Sequence, residues 1–375
     1  MNVIFTCGGT GGHINPAIAV ADIWKEKYPG DQILFIGAED RMEEKLVPQA
    51  GYTLKTIPAM GMSREKNLRA LKNNLQAVSC VIKALSECKK IIRDFSADVV
   101  VGTGGYASFP ALLAANMLGV PICVHEANAM PGLTTRMIAN RADRVLTCFP
   151  ESAKYYRHPE KVEVVGMPVK KEFIFNKKAD ARKELGLDER PLIVSAFGSQ
   201  GARAMNEVVS ELFKLEKEAD YPFRHIHATG RYGVDWMPDA VKAQGVDLTE
   251  NRGITMLEYI YNMPTVMAAA DIVISRAGAS SCNEIAASGT PCILIPSPNV
   301  TDNHQEKNAR ALSKQGAAVL LREEECTAQR LMEEIQYLLN SPDRYHQMEQ
   351  ALMRLCVPDS AERLCRIARS LVKEK

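Results

Sequence analysis

The sequence predicts an α/β protein built of two Rossmann-like domains with parallel sheets, and three observations carry that expectation. The 375 residues exceed one typical core and suit two α/β domains of about 150 to 200 residues each. Short apolar runs rich in β-branched residues alternate with helical patterns, as in βαβ units. Three of these runs lead directly into glycine turns, at Gly8, Gly102 and Gly198, two in the first half and one in the second.

Composition narrows the class. Hydrophobic residues make up 46% and charged residues 24%, values ordinary for a globular protein, and the net charge of +1 gives no pointer to nucleic acid. Ten cysteines, none in a C-x-x-C pair, read as reduced and mostly buried thiols of a cytosolic protein. The start of the chain has no basic region followed by an apolar stretch, so no signal peptide is expected, and no run approaches the about 20 apolar residues of a membrane span.

In chain order, residues 2–7 form a first strand, and Gly8-Gly9-Thr10-Gly11-Gly12-His13 turns it into a helix expected to begin near Pro16. Ile14 stands where a dinucleotide fingerprint needs glycine, and no P-loop lysine follows. His13 suits a general base and equally a residue bonding the local backbone. Gln32–Ile36 is the second strand, and residues 37–43 lead into another helix.

From Gly61 to Arg93, Arg64, Lys66, Arg69, Lys72, Lys83, Lys89, Lys90 and Arg93 meet only Glu65 and Glu87. Leu75, Val78, Ile82 and Leu85 recur there at helical spacing, which fits a core-facing stripe or an apolar face resting on an anionic membrane. Asp98–Val101 is a buried-type strand ending in Gly102-Thr103-Gly104-Gly105-Tyr106. Pro121–Val124 is the next, and His125, Glu126 and Asn128 leave its carboxyl end, where an open α/β sheet places its chemistry.

Strands at 144–146 and 162–165 complete the first domain, expected over 1–165, and Gly166-Met167-Pro168 reads as a hinge. The second domain, expected over 166–340, begins its sheet at Leu192–Ala196. The turn Gly198-Ser199-Gln200-Gly201-Ala202-Arg203 then offers backbone N–H groups at a helix start, a natural diphosphate cradle. Strands at 225–228 and 254–257 follow. The helices of 341–375, one face of which continues from Leu331, Ile335 and Leu338, are expected to pack back toward the first domain.

The strand ending at Ser275 opens the most telling stretch, from Ser275 to Asn308. Ser280 or Ser281 can cap a helix that Gly289 and Pro291 stop, which puts Glu284 in its first turn. A carboxylate there can accept both hydroxyls of a ribose; Ser281-x-x-Glu284 is equally a capping box. No two aspartates are separated by one residue, and no histidine or cysteine spacing suits zinc, so no metal or other cofactor is expected.

Together, Gly8–His13, Gly102–Tyr106, His125-Glu126-x-Asn128, Gly198–Arg203 and Arg276-x-Gly278 through Glu284 resemble, in order and spacing, the MurG family of peptidoglycan N-acetylglucosaminyltransferases. The resemblance spans about residues 2 to 365. It implies a GT-B fold, with two Rossmann-like domains facing a central cleft, and inverting transfer of GlcNAc from UDP-GlcNAc to the C4 hydroxyl of MurNAc in lipid I (undecaprenyl-pyrophosphoryl-MurNAc-pentapeptide). The product is lipid II, made by a peripheral protein on the cytoplasmic membrane surface.

By the same resemblance Glu284 holds the ribose, Ile260 the uracil through its backbone, and Ser199 and Gln200 the diphosphate. Gly11, Gly12, Lys170, Arg276, His304, Gln305 and Asn308 line the donor, while Thr10, Tyr106, His125 and Asn128 bind the acceptor. His13 is the first candidate for the base and Glu126 the second. The chain departs from the family pattern at Met167 and Lys170, where Gly-Asn-Pro-Val-Arg is usual, at Phe197 in place of a glycine, and at His304 in place of a glutamine. Lys170 keeps a charge but lacks the bidentate fork of arginine. A UDP-GlcNAc 2-epimerase and a non-catalytic nucleotide-sugar binding protein are the rival expectations.

Overall fold

The structure is a computed structural model that describes residues 1–59, 68–250, 253–300 and 303–372. It divides into two compact units, one of Met1–Val169 with Val357–Lys375 and one of Lys170–Cys356. The first boundary thus falls at 169 rather than 165. Of the terminal helices expected to pack back, Pro342–Leu355 belongs to the second unit and only Ser360–Ser370 to the first.

In the first unit seven strands, β1 (Asn2–Thr6), β2 (Gln32–Ala38), β3 (Thr53–Ile57), β4 (Val99–Gly102), β5 (Ile122–Glu126), β6 (Arg144–Thr147) and β7 (Val162–Val164), form a sheet ordered β3-β2-β1-β4-β5-β6-β7. Every pairing is parallel. The central strands carry unbroken apolar runs, Val3–Phe5, Val99–Val101 and Ile122–Val124, as expected where helices cover both faces of a sheet. Alternation splits them between two cores. Val3, Phe5, Val99 and Val101 face the helices Gly11–Lys27 and Ser360–Ser370. Ile4, Val100, Ile122 and Val124 face Ala84, Cys88 and Ile92 of the helix Leu68–Asp94 and the helix Ser108–Met117.

That packing corrects the expected stripe. Ala84, Cys88 and Ile92 form the inward face of Leu68–Asp94, whereas Ile82 is 67% exposed beside Lys83. Leu75, Val78 and the cations from Arg64 to Lys72 lie outside the residues whose side chains are described. A second correction concerns Pro16. The helix starts at Gly11, so Pro16 lies inside it and offers no N–H to the carbonyl of Gly12.

The second unit repeats the scheme with β8 (Leu192–Ala196), β9 (Arg224–Ala228), β10 (Ile254–Leu257), β11 (Ile272–Ser275), β12 (Cys292–Leu294) and β13 (Val319–Leu320), ordered β10-β9-β8-β11-β12-β13 and again parallel. Leu331, Ile335 and Leu338 of the helix Ala328–Leu339 are fully buried, as their spacing predicts. In each sheet the strand order reverses once, between β1 and β4 and between β8 and β11. Those reversals are where open α/β sheets take their ligands, at the carboxyl ends of the strands. Among the described residues no helix is long and apolar enough to cross a membrane.

Candidate active site

At the reversal in the first sheet the turns after β1 and β4 interlock. A Cβ on Gly105 would stand 2.1 Å from the carbonyl oxygen of Gly8, and one on Gly9 would stand 2.8 Å from the ring of Tyr106. Both glycines have positive φ, +84° and +88°, so conformation and space each call for glycine. Gly104, with φ +99°, clears room for His13, whose Nδ1 would lie 2.8 Å from a Cβ there.

The interlock fixes His13 chemically. Its Nδ1 lies 3.1 Å from the carbonyl oxygen of Thr103, and the Thr103 hydroxyl donates to the carbonyl of His13 at 2.7 Å. A carbonyl only accepts, so Nδ1 carries a proton, and whenever the ring is neutral the lone pair is on Nε2. Thr10 stands at the helix N-cap with an exposed side chain that takes no part in capping, and Gly11 and Gly12 open the helix.

The cluster after β5 is arranged differently. Glu126 is 4% exposed; its Oε1 accepts from the backbone N–H and the side-chain amide of Asn128, each at 2.9 Å, and its Oε2 accepts from the Gly132 N–H at 2.9 Å. Three N–H donors make this carboxylate the clamp of its own loop. His125 is 1% exposed and donates from Nε2 to the carbonyl of Gly166 at 2.9 Å. Burial and the neighbouring His13 lower its pKa, against the Gly166 carbonyl and Glu126. His125 is therefore a neutral interior group that anchors the segment at Gly166, while Tyr106 is half-buried over Gly9.

In the second unit the turn after β8 bonds to the turn after β9. Arg231 N–H donates to the Ser199 carbonyl and Tyr232 N–H to that of Gln200, at 3.3 and 3.0 Å. Gly201 and Gly230 are pressed together, a Cβ on Gly230 falling 2.1 Å from the Gly201 nitrogen, yet a Cβ on Gly198 would meet nothing within 4 Å. The helix Arg203–Glu218 follows with no side-chain cap, so no cap side chain takes up its first N–H groups.

Arg276, just after β11, is buried. Its Nη1 donates to the Ile295 carbonyl at 3.1 Å, its Nη2 pairs with Glu323, and its guanidinium lies 5.9 Å from the Phe197 ring centroid. Asn308 donates to the Ala277 carbonyl at 3.2 Å, and its buried Oδ1 has no partner among the described residues. Gln305 Oε1 accepts from Ser297 N–H at 2.9 Å, and His304 opens the same helix, half-buried. Ile260 buries its side chain three residues beyond β10.

Glu284 lies beyond the first turn, because the helix spans Ala279–Ser288 with Gly278 at its N-cap. The capping box is therefore absent. The carboxylate instead accepts from the Ser280 hydroxyl at 2.8 Å. Burial raises its pKa, with the Ser280 hydroxyl and the cation of Lys170 pulling it back. Sequence reasoning missed Thr103 and Glu323. The first lay in plain view inside a glycine turn; the second belongs to Arg322-Glu323-Glu324-Glu325, which reads as a solvated charge run.

Residues 3–147 match the glycosyltransferase family 28 N-terminal domain, and residues 192–364 match the family's C-terminal domain. A UDP-N-acetylglucosamine–N-acetylmuramyl-(pentapeptide) pyrophosphoryl-undecaprenol N-acetylglucosamine transferase of Acetivibrio thermocellus is 39% identical over 376 residues, covering 100% of this chain and 99% of the relative. The crystal structure of MurG from Acinetobacter baumannii superposes with a TM-score of 0.72 at 25% identity, covering 98% of this chain and 99% of that one. A UDP-GlcNAc 2-epimerase of Neisseria meningitidis, bound to UDP-GlcNAc, shares the fold with a TM-score of 0.65 at 15% identity, with both chains covered in full. With two parallel sheets of GT-B type and relatives this similar over its whole length, the chain belongs to glycosyltransferase family 28 and, within it, to the MurG family.

Proposed function

We propose that this chain transfers GlcNAc from UDP-GlcNAc to the C4 hydroxyl of MurNAc in lipid I, with inversion at the sugar C1, and so makes lipid II. The observation that carries the mechanism is the Nδ1 contact of His13 with the Thr103 carbonyl. A neutral imidazole held in that tautomer presents Nε2 as a base. In the transfer the acceptor oxygen attacks C1, its proton passes to Nε2, and the bond from C1 to the UDP oxygen breaks. The three donors on Glu126 favour His13 as the base and give Glu126 the work of shaping the acceptor loop with Asn128.

The donor reading places the departing diphosphate on the Gly198 turn and the N-terminus of Arg203–Glu218, whose dipole offsets its charge. Glu284 takes the ribose, the Ile260 backbone the uracil, and the unpartnered Oδ1 of Asn308 a sugar hydroxyl. The membrane face is the exposed side of Leu68–Asp94, where Ile82 stands with Lys83, Lys90 and Arg93. The protein then works as a peripheral enzyme on the cytoplasmic leaflet.

The test is transfer of labelled GlcNAc from UDP-GlcNAc to a lipid I analogue, with a control lacking acceptor. Acceptor-dependent product is expected. Product without acceptor would point to an epimerase, and donor binding with no product to a binding protein.

A further inference from the structure

We infer that Glu43 is a positioning residue of the catalytic turn, a role that rests on the reading of His13 as the base. Glu43 is fully buried, 0% exposed, at the first position of the helix Glu43–Gln49. Its Oε1 accepts from the backbone N–H of Gly9 at 2.9 Å and from that of Ala38, at the end of β2, at 3.2 Å. Its Oε2 is buried with no partner among the described residues.

A carboxylate so placed is unusual in what it lacks. Among the described residues no lysine, arginine or histidine pairs with it, so its charge is met by two backbone N–H groups and the positive end of its own helix. Glutamate at a helix start ordinarily needs only water or its own first turn. Here the fold makes room for it: a Cβ on Gly37 would lie 2.9 Å from the Cβ and Cγ of Glu43, so the glycine at that point of β2 admits the side chain.

The bond to Gly9 matters because of what Gly9 joins. The turn from Gly8 to His13 is gripped on one side by the turn after β4, through Gly8 against Gly105, Gly9 against the Tyr106 ring, and His13 against Thr103. Glu43 grips it from the other side. Without that second hold the Gly9 N–H loses its acceptor, and the turn is held only from the side of β4, by packing and by the two bonds between His13 and Thr103. A shift of about 1 Å in a catalytic group is enough to lower turnover on the order of a hundredfold.

The experiment compares wild type, Glu43→Ala, Glu43→Gln and His13→Ala for kcat, KM for UDP-GlcNAc, UDP affinity and amide exchange of the peptide spanning residues 8–13. Glu43→Ala is expected to lower kcat about 10- to 100-fold with KM and UDP affinity within twofold, and to speed exchange in that peptide selectively. Glu43→Gln keeps one acceptor oxygen, so a loss of about tenfold or less is expected, and it decides the matter if the alanine variant does not fold.

Turnover within twofold of wild type in both variants, while His13→Ala is impaired, would overturn the inference and leave the base assignment standing. Loss of UDP affinity together with a general rise in exchange would also overturn it, since Glu43 would then serve overall stability. Should His13→Ala turn over normally, the base assignment fails, and the exchange of residues 8–13 still decides whether Glu43 holds the turn.

Discussion

In the first unit Gly105 has the Gly8 carbonyl 2.1 Å from where its Cβ would stand; in the second, Gly198 and Gly278 have nothing within 4 Å. Both sheets share one strand order and both carry glycine turns at the reversal, so the same residue type serves opposite ends. Around His13 glycine removes side chains so that two turns can touch and hold a ring. Around Gly198 and Gly278 it leaves room that no atom of the described residues fills within 4 Å of a Cβ. The contrast suits the proposed roles, a base that must be held and a diphosphate that must be admitted.

The comparison can be broken first at His13. His13→Ala is expected to lower kcat by about 10²- to 10⁴-fold, the usual worth of a general base, with UDP affinity unchanged in calorimetry. A comparable loss in Glu126→Gln with normal turnover in His13→Ala would reverse the two assignments.

Glycine substitutions sharpen it next. Gly105→Ala adds a clash to a positive φ and is expected to destabilise the protein by about 3 kcal/mol or more in denaturant unfolding. Gly278→Ala has open space and an ordinary φ of −64°, so about 1 kcal/mol or less is expected, from its N-cap position, alongside weaker UDP binding. Equal destabilisation at both sites would remove the distinction.

Glu284→Gln tests the open side chemically. Losing the charged acceptor is expected to weaken UDP binding about 10-fold, read by calorimetry, while the melting temperature stays level or rises, because burial already disfavours the ionised carboxylate.

The smallest effect expected is on pH. Burial lowers the pKa of His125 in the first unit and, more strongly, that of His227 in the second, where the nearby His225 lowers it further. Below the ordinary histidine value of about 6.5 the unfolded chain takes up protons that these folded sites refuse. Stability is therefore full above that pH and falls as the pH drops from about 6.5 toward the folded values, with His227→Asn flattening the dependence of the second unit more than His125→Asn flattens that of the first.

The strands of both sheets were largely legible because buried parallel strands are unbroken apolar runs, as in Val99-Val100-Val101. β3 escaped because Thr53–Ile57 is an edge strand with polar, exposed positions, and β13 because it has only two residues. Helix starts misled at Pro16 and Ser281. In each, a residue that suits an N-terminus stands inside a helix whose true cap, Thr10 or Gly278, offers no side-chain bond to announce it. Glu43 was beyond reach of local reading, since its key partner, Gly9, lies 34 residues away.

Of the two units only the second is a single continuous piece of chain; the first closes its core with Leu364, Cys365 and Ala368 against the helix Gly11–Lys27. On the ribosome the second unit is complete while the first still lacks a wall. The half that is translated first is thus the last to be finished. A nascent chain cut short after residue 356 would release a whole second unit and leave Trp24 and its neighbours uncovered on the first, a substrate for quality control rather than a partial enzyme.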